Sequence, residues 1–323
     1  MPIPRRIILD TDTGVDDALA ILLAMRSPEL HVEAITAVSG NTHVDQAVRN
    51  ILITLETLGI QDGPPVARGE EKPLVKPLFL ADDVHGGDGL GGVTRLIKPD
   101  GAHLYTPPEG RVSRVSAVDL ILDLVGRYPD ELSLVPVGPL TNVAKAIIKN
   151  PVRMRKIREI VLMGGAFRVY GNMSPVAEFN IFVDPHAAQI VCDAGIPLVF
   201  VPLDVTMQAV LTAATIDRYA EANRVAAFVR DCTAHYVDFH RKRRDVDGCF
   251  LHDPLAVAVT FGEKLVRMTS ARVNVETAGD LTTGMTVADL RSPSHDGLSP
   301  NARVCVDIDA PAFTQLFTER VLA

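Results

Sequence analysis

The sequence has few cysteines, no long apolar run and no excess of basic charge, and each shortage excludes a class of protein. The 323 residues include four cysteines, Cys192, Cys232, Cys249 and Cys305. They are scattered and form no C-x-x-C pair, which excludes a disulfide scaffold and points to buried, idle thiols in a reduced cytoplasm. No stretch approaches the roughly 18 apolar residues of a membrane span. Arg5 and Arg6 precede only Ile7-Ile8-Leu9 before Asp10 interrupts, too short a core for a secretion signal. Acidic residues outnumber basic ones, 40 to 32, for a formal charge of -8. General nucleic-acid binding wants the opposite balance, whereas a small-molecule site for a nucleotide fragment stays open. There is no internal repeat, low-complexity tract or linker, so residues 1–323 are expected to form a single domain. The composition, 47% hydrophobic and 22% charged, is that of a globular protein. A chain this long buries about three quarters of its unfolded surface and needs no disulfide or metal to fold.

The order of elements predicts an α/β fold. Arg6–Leu9 reads as a buried strand and Asp16–Met25 as a helix with Ala18, Leu19, Leu22 and Leu23 at helical spacing. Val32–Val38 reads as a second strand. Val44–Leu58 has a strong amphipathic pattern and stops at Gly59. Strand–helix alternation returns with Leu132–Val137 and Pro139–Ile148, then Glu159–Met163 and Pro185–Asp193, then Leu198–Val201. Such units imply an open, mostly parallel, Rossmann-like sheet with helices on both faces. Leu265–Ile308 predicts a small additional β region near the C-terminus, and Pro311–Val321 a closing helix. Two segments break the rhythm: Gly69–Thr106, rich in Gly, Pro and Asp, and the charged loop Arg241–Gly248, after a helix over Arg224–His240. Long loops inside a compact fold are often lids or binding loops.

The most informative segment is Ile7-Ile8-Leu9-Asp10-Thr11-Asp12-Thr13-Gly14-Val15-Asp16-Asp17. Four carboxylates crowd the carboxyl end of one strand and the start of the next helix, where open α/β sheets bind ligands. Mutual repulsion demands a cation, protons or hydrogen-bond donors, and all-oxygen donors suit Ca²⁺ or Mg²⁺. Helix capping by Asp16 would use only one of the four. An EF-hand loop fails, because Ile21 stands where its last acidic ligand belongs. Asp10-Thr11-Asp12-Thr13 partly fits a haloacid-dehalogenase-type, Mg²⁺-dependent phosphatase with Asp10 as nucleophile. Such an enzyme would need a downstream lysine near the cluster. A non-enzymatic nucleoside- or sugar-binding protein is the other alternative.

The whole pattern D-x-D-x-G-x-D-D resembles the inosine-uridine preferring nucleoside hydrolase family. The resemblance continues in Val38-Ser39-Gly40-Asn41, Val137-Gly138-Pro139-Leu140-Thr141-Asn142, Met163-Gly164-Gly165, Asn172, Ala177-Glu178-Phe179-Asn180, His252-Asp253-Pro254-Leu255 and Gly284-Met285-Thr286-Val287. Each match is short, and their shared order makes the combination specific.

The resemblance implies hydrolysis of the N-glycosidic bond of a ribonucleoside at a bound calcium ion. It implies Asp12, Asp17, Asp253 and the Val137 carbonyl as metal ligands, with Asp12 also the general base for a Ca²⁺-bound water. Asp10 would hold the cluster in position from behind. Asp16, Asn41, Glu178 and Asn180 would bind ribose hydroxyls, with Met163 and Asn172 near the sugar. Carboxylates also suit the chemistry, because the ribose gathers positive charge as the bond breaks. His252 would protonate the departing base, with His85, Tyr236 and His240 beside it. His240 departs from the family, which often has Tyr there. The resemblance further implies a homodimer or homotetramer in cytoplasmic nucleoside salvage, while the acidic balance and the lack of a long apolar run argue against a nucleic-acid or membrane partner. Two signals are set aside. Gly87-x-Gly89-x-x-Gly92 neither follows a strand nor opens a helix, so it reads as a mobile loop over the site rather than a dinucleotide motif. The basic run Arg241-Lys242-Arg243-Arg244 reads as a solvated face.

Overall fold

The structure, a computed structural model, describes residues 3–60, 62–108, 110–291 and 299–323. Its strands in chain order are β1 Arg5–Thr11, β2 Leu30–Ala37, β3 Val66–Arg68, β4 Leu132–Pro136, β5 Glu159–Met163, β6 Leu198–Val201, β7 Val210–Thr212, β8 Gly248–Phe250, β9 Val266–Val275, β10 Thr286–Asp289 and β11 Ala302–Ile308. Nine of them form one sheet in the order β10-β9-β11-β6-β5-β4-β1-β2-β3. Every pair from β3 to β11 is parallel, and β9 and β10 extend the sheet antiparallel. The expected C-terminal β region is therefore an antiparallel extension of the main sheet. β7 and β8 form a separate antiparallel pair.

Burial on both faces explains the apolar strands. Ile7 and Leu9 of β1 pack into one core cluster with the helices Val15–Met25, Val44–Thr57, Arg224–Arg244 and His252–Val259. Ile8, between them, packs into the cluster on the other side with the helices Ala117–Arg127, Thr141–Lys149 and Pro185–Asp193. A strand covered on both sides has no polar face, so it reads as a continuous apolar run. Gly59 stops the Val44–Thr57 helix as expected; its φ of 72° is a left-handed conformation that favours glycine.

The strand order places the ligand site. From β3 the order runs 3-2-1-4-5-6, so the chain reverses direction across the sheet between β1 and β4. Open parallel sheets bind ligands at that reversal, outside the carboxyl ends of the strands. The residues leaving β1 are Asp12 onward, and Val137 follows β4.

Several expectations need correction. The Arg224 helix runs to Arg244, so the charged loop begins four residues later than predicted. The Gly87–Gly92 turn is held together by one of its own side chains. Asp88 accepts hydrogen bonds from the amides of Leu90, Gly92 and Thr94 and from the Thr94 hydroxyl, and Leu90 is fully buried. The closing helix ends at Phe317 and passes into a π-helical turn over Thr318–Leu322.

Candidate active site

Asp12, Asp16, Asp17 and Asp253 are all buried, at 0%, 6%, 0% and 2% exposure. Three of them, Asp16, Asp17 and Asp253, present carboxylate oxygens within 4.8 Å of one another. Asp12 stands beside Asp17, with Oδ2 accepting from the Asn41 amide at 2.6 Å and Oδ1 without a hydrogen-bond partner. Glycine makes this approach possible, since a Cβ on Gly40 or Gly138 would overlap the Asp12 carboxylate. Asp16 Oδ1 and Asp10 Oδ2 are also buried and unpartnered.

Asp17, not Asp16, serves the helix start. Its Oδ2 accepts from the Gly14 amide at 2.8 Å and from Asn41 Nδ2 at 3.0 Å, and its Oδ1 from the Thr11 hydroxyl at 2.5 Å. Asp253 belongs to the helix His252–Val259, which begins one residue before it, so Asp253 lies inside its first turn. Asp10 is tied from behind by Thr36 Oγ1 at 2.6 Å and Asn142 Nδ2 at 2.7 Å. The register explains Thr36, which pairs with Asp10 across β1 and β2.

The electrostatics of the cluster are unfavourable by themselves. Burial, then the charge of Asp17, pushes Asp12 and Asp16 well above the usual carboxylate range. Burial, then Asp16, Asp17 and Asp12, does the same to Asp253. Burial raises Asp17 and pushes Asp10 up to about 7. An unpaired buried charge costs several kcal/mol. The donors fit a hard divalent cation: all are oxygens, and Asp12 Oδ1 and Asp16 Oδ1 are buried without a hydrogen-bond partner.

Above the cluster lies a cavity of about 310 Å³. Its lining includes Asp16, Asn41, His85, Val137, Met163, Asn172, Glu178, Asn180, Tyr236, His240, His252 and Asp253, so the structure brings the expected sugar- and base-side residues together. Asp12 and Asp17 are not part of the lining and lie in the buried cluster beside Asp16. Asn180 Nδ2 donates to the Val137 carbonyl at 2.8 Å, joining the ends of two segments. Glu178 is 1% exposed and caps the helix Phe179–Val183, accepting from the amides of Gly165, Asn180 and Ile181. Burial pushes it up to about 7. Asn172 accepts from the Phe179 amide at 2.9 Å.

The opposite wall is a chain of rings. Centroids run His85–Tyr236 at 5.2 Å, Tyr236–His240 at 4.4 Å, His240–Phe250 at 4.9 Å and Phe250–His252 at 5.3 Å. His85 ends the short helix Asp82–His85, and its Nδ1 accepts from the Val15 amide at 3.1 Å. His252 Nδ1 lies 2.7 Å from Thr206 Oγ1. Burial, with the other histidines' charges, lowers His85 and His252 to about 3, and burial lowers His240 to about 4. All three imidazoles are therefore neutral near pH 7.

Sequence reasoning missed Thr11, Thr36, Asn142 and Thr206, which hold the acidic residues and His252, and the apolar rim of Phe79, Met207, Phe239 and Phe250. Asn142 was visible inside its motif without a role. Arg244 also lines the cavity, although its basic run was read as a solvated face. No lysine lines the cavity among the described residues, and the Asp10 carboxylate is enclosed below it, which removes the basis for the phosphatase alternative.

The model of the inosine-uridine preferring nucleoside hydrolase family matches residues 7–315. The chain is 41% identical over 317 residues to the pyrimidine-specific ribonucleoside hydrolase RihA of Citrobacter koseri, covering 98% of this chain and 97% of that one. Among solved structures, a plant nucleoside hydrolase superposes with a TM-score of 0.92 at 32% identity, covering 99% of this chain and all of that one. A purine-preferring ribonucleoside hydrolase from Gardnerella vaginalis gives 0.89 at 35% identity, covering 98% of each chain. Relatives of opposite base preference thus share the fold. An acidic cluster at the sheet's reversal, a cavity above it and matches along nearly the whole chain make this an N-ribosyl hydrolase, a member of the inosine-uridine preferring nucleoside hydrolase family.

Proposed function

We propose that the chain hydrolyses pyrimidine ribonucleosides to ribose and free base, with Ca²⁺ held by Asp12, Asp17, Asp253 and the Val137 carbonyl. The observation that carries this reading is the cluster of buried carboxylates with unpartnered oxygens beneath a cavity. A bound divalent cation would neutralise the cluster, orient sugar hydroxyls and make a water easier to deprotonate. Asp12 Oδ1 takes the proton of the attacking water. Asp16, Asn41 and Asn180 hold the ribose, since carboxylates and amides match hydroxyls that both donate and accept. Glu178 keeps the sugar wall in place through the three backbone amides it caps. The remaining carboxylate charge favours the ribose as it becomes cationic. His252, neutral near pH 7, donates a hydrogen bond to the departing base from its Nε2 side, because its Nδ1 is engaged with Thr206.

The pyrimidine preference follows the printed specificity of the RihA relatives. A cytoplasmic salvage role belongs to the same proposal and is supported by four free, buried cysteines. A homodimer or homotetramer is the assembly we infer, to be tested by sedimentation. No helix among the described residues is long and apolar enough to cross a membrane.

The test is ribose release from uridine, cytidine, inosine, adenosine and guanosine, before and after exhaustive chelation and with Ca²⁺ added back. Release that stops on chelation and returns with Ca²⁺, fastest on pyrimidines, is expected. Full activity in the chelated enzyme would overturn the metal reading, and a purine-first ranking would overturn the base assignment.

A further inference from the structure

The long helix Arg224–Arg244 ends in four basic residues that do different things. Arg241 Nε pairs with Asp247 at 2.6 Å, and Lys242 Nζ with Asp238 at 2.7 Å, on the outer face. Arg244 makes no hydrogen bond or ion pair among the described residues, and it lines the cavity. Tyr236, His240 and Arg244 are four residues apart, so they stack along one helical face. The guanidinium is close enough for its charge to disfavour protonation of His240. His240 supplies the second half of the observation. It is 4% exposed, and its Nδ1 is buried without a partner.

An arginine offers five donors and no acceptor, and it stays charged at any working pH. It can satisfy a carbonyl oxygen on the base, and it cannot satisfy an amino group. Facing an amino group in a partly enclosed pocket, it would leave donors on both sides unpaired, which is costly. His240, in ring contact with Tyr236 and Phe250, forms the wall of the pocket next to Arg244. A carbonyl next to a ring N–H is the edge of uracil at O4 and N3. Cytosine offers an amino group next to a bare nitrogen.

Charge development points the same way. As the C1′–N1 bond breaks, its electron pair leaves with the base and spreads onto the base's carbonyl oxygens. Water oxygen bonds to C1′, one water proton goes to Asp12, and the base takes up a proton, giving ribose and neutral base. A fixed cation at a carbonyl oxygen stabilises the base while it carries that pair.

We propose that Arg244, with His240, is a specificity-determining residue that selects 4-oxopyrimidine nucleosides of the uridine type over their 4-amino counterparts. This inference rests on the ribosyl-hydrolase reading. The experiment measures kcat/KM for uridine, cytidine and 4-nitrophenyl riboside in the wild type and in Arg244→Met. Arg244 is exposed on its outer side, so the variant should fold. The wild type is expected to favour uridine over cytidine. In Arg244→Met the uridine value should fall about ten- to hundredfold, as for a lost charged hydrogen bond. Cytidine and the nitrophenyl riboside, whose leaving group presents no such edge, should stay within about twofold. Equal losses on all three substrates, or a uridine preference that survives, would overturn the role of Arg244 while leaving the hydrolase reading intact. Failure of the wild type to cleave even the nitrophenyl riboside would instead defeat the hydrolase reading, and this inference with it.

Discussion

The floor and the rim of the cavity are built on opposite principles. The floor is Asp12, Asp16, Asp17 and Asp253, with Asp10 behind. Asp10, Asp12, Asp16 and Asp17 lie at the end of β1 and the start of the next helix, Asp253 joins them from the first turn of the helix His252–Val259, and short bonds from Thr11, Thr36, Asn41 and Asn142 hold Asp10, Asp12 and Asp17. The rim is Phe79, Met207, Phe239, His240, Arg244 and Phe250, drawn from four separated segments, with ring contacts joining Phe239, His240 and Phe250. Hydrogen bonds fix direction, so the floor allows little substitution. Apolar contacts are non-directional, so the rim can be re-tuned for different bases. That division accounts for relatives that share the fold while being named for pyrimidines in one case and purines in another.

The sharpest way to break the comparison is at the floor. Asp12→Asn keeps the shape and removes the acceptor for the water proton, so kcat should fall by about 10³-fold on every nucleoside with the fold intact. Near-normal turnover would remove Asp12 from the reaction. His252→Ala, where floor and rim meet, should cost about 10²-fold on nucleosides with poor leaving bases and far less on 4-nitrophenyl riboside. Equal losses on both would end the case for a role at the base. At the rim, Phe239→Ala removes partly buried apolar contact alone. It should raise KM by about tenfold or less, unequally between bases, and leave kcat in place. Lys242→Ala, two residues before Arg244 and paired on the outer face, should change neither constant. A clear kinetic effect there would show that the basic run acts as a diffuse field and not through one residue.

Legibility in the sequence follows the same boundary. Most of the floor could be read because it is local: a buried strand, four carboxylates within eight residues and a helix start; Asp253 was legible only through the resemblance of His252-Asp253-Pro254-Leu255. Glu159–Met163, Pro185–Asp193 and Leu198–Val201 were read to the residue, because buried parallel strands and amphipathic helices carry strong periodic signals. β3 went unread because three residues give no period. The β7–β8 pair went unread because its partners lie more than thirty residues apart. The helix Ala117–Arg127 did carry a signal that was passed over: Ser116 accepts from the Asp119 amide, with Val118, Ile121, Leu122 and Val125 on the buried face. The rim has no motif at all. Phe79 or Phe250 looks like any core aromatic until the fold brings the two to one cavity. Arg244 differs from Arg241 only in which side of the helix it faces.

The central claim is that the buried carboxylates are there to hold one divalent cation. The direct measurement is metal content per chain after dialysis against Ca²⁺, for the wild type and for Asp17→Asn, Asp253→Asn and Asp10→Asn, with thermal unfolding to confirm folding. The expected result is one ion per wild-type chain, a higher Tm with Ca²⁺ than after chelation, loss of the ion in the Asp17 and Asp253 variants, and retention in the Asp10 variant. A wild type that hydrolyses nucleosides while binding no ion, or Asp17 and Asp253 variants that bind it as tightly as the wild type, would contradict the account.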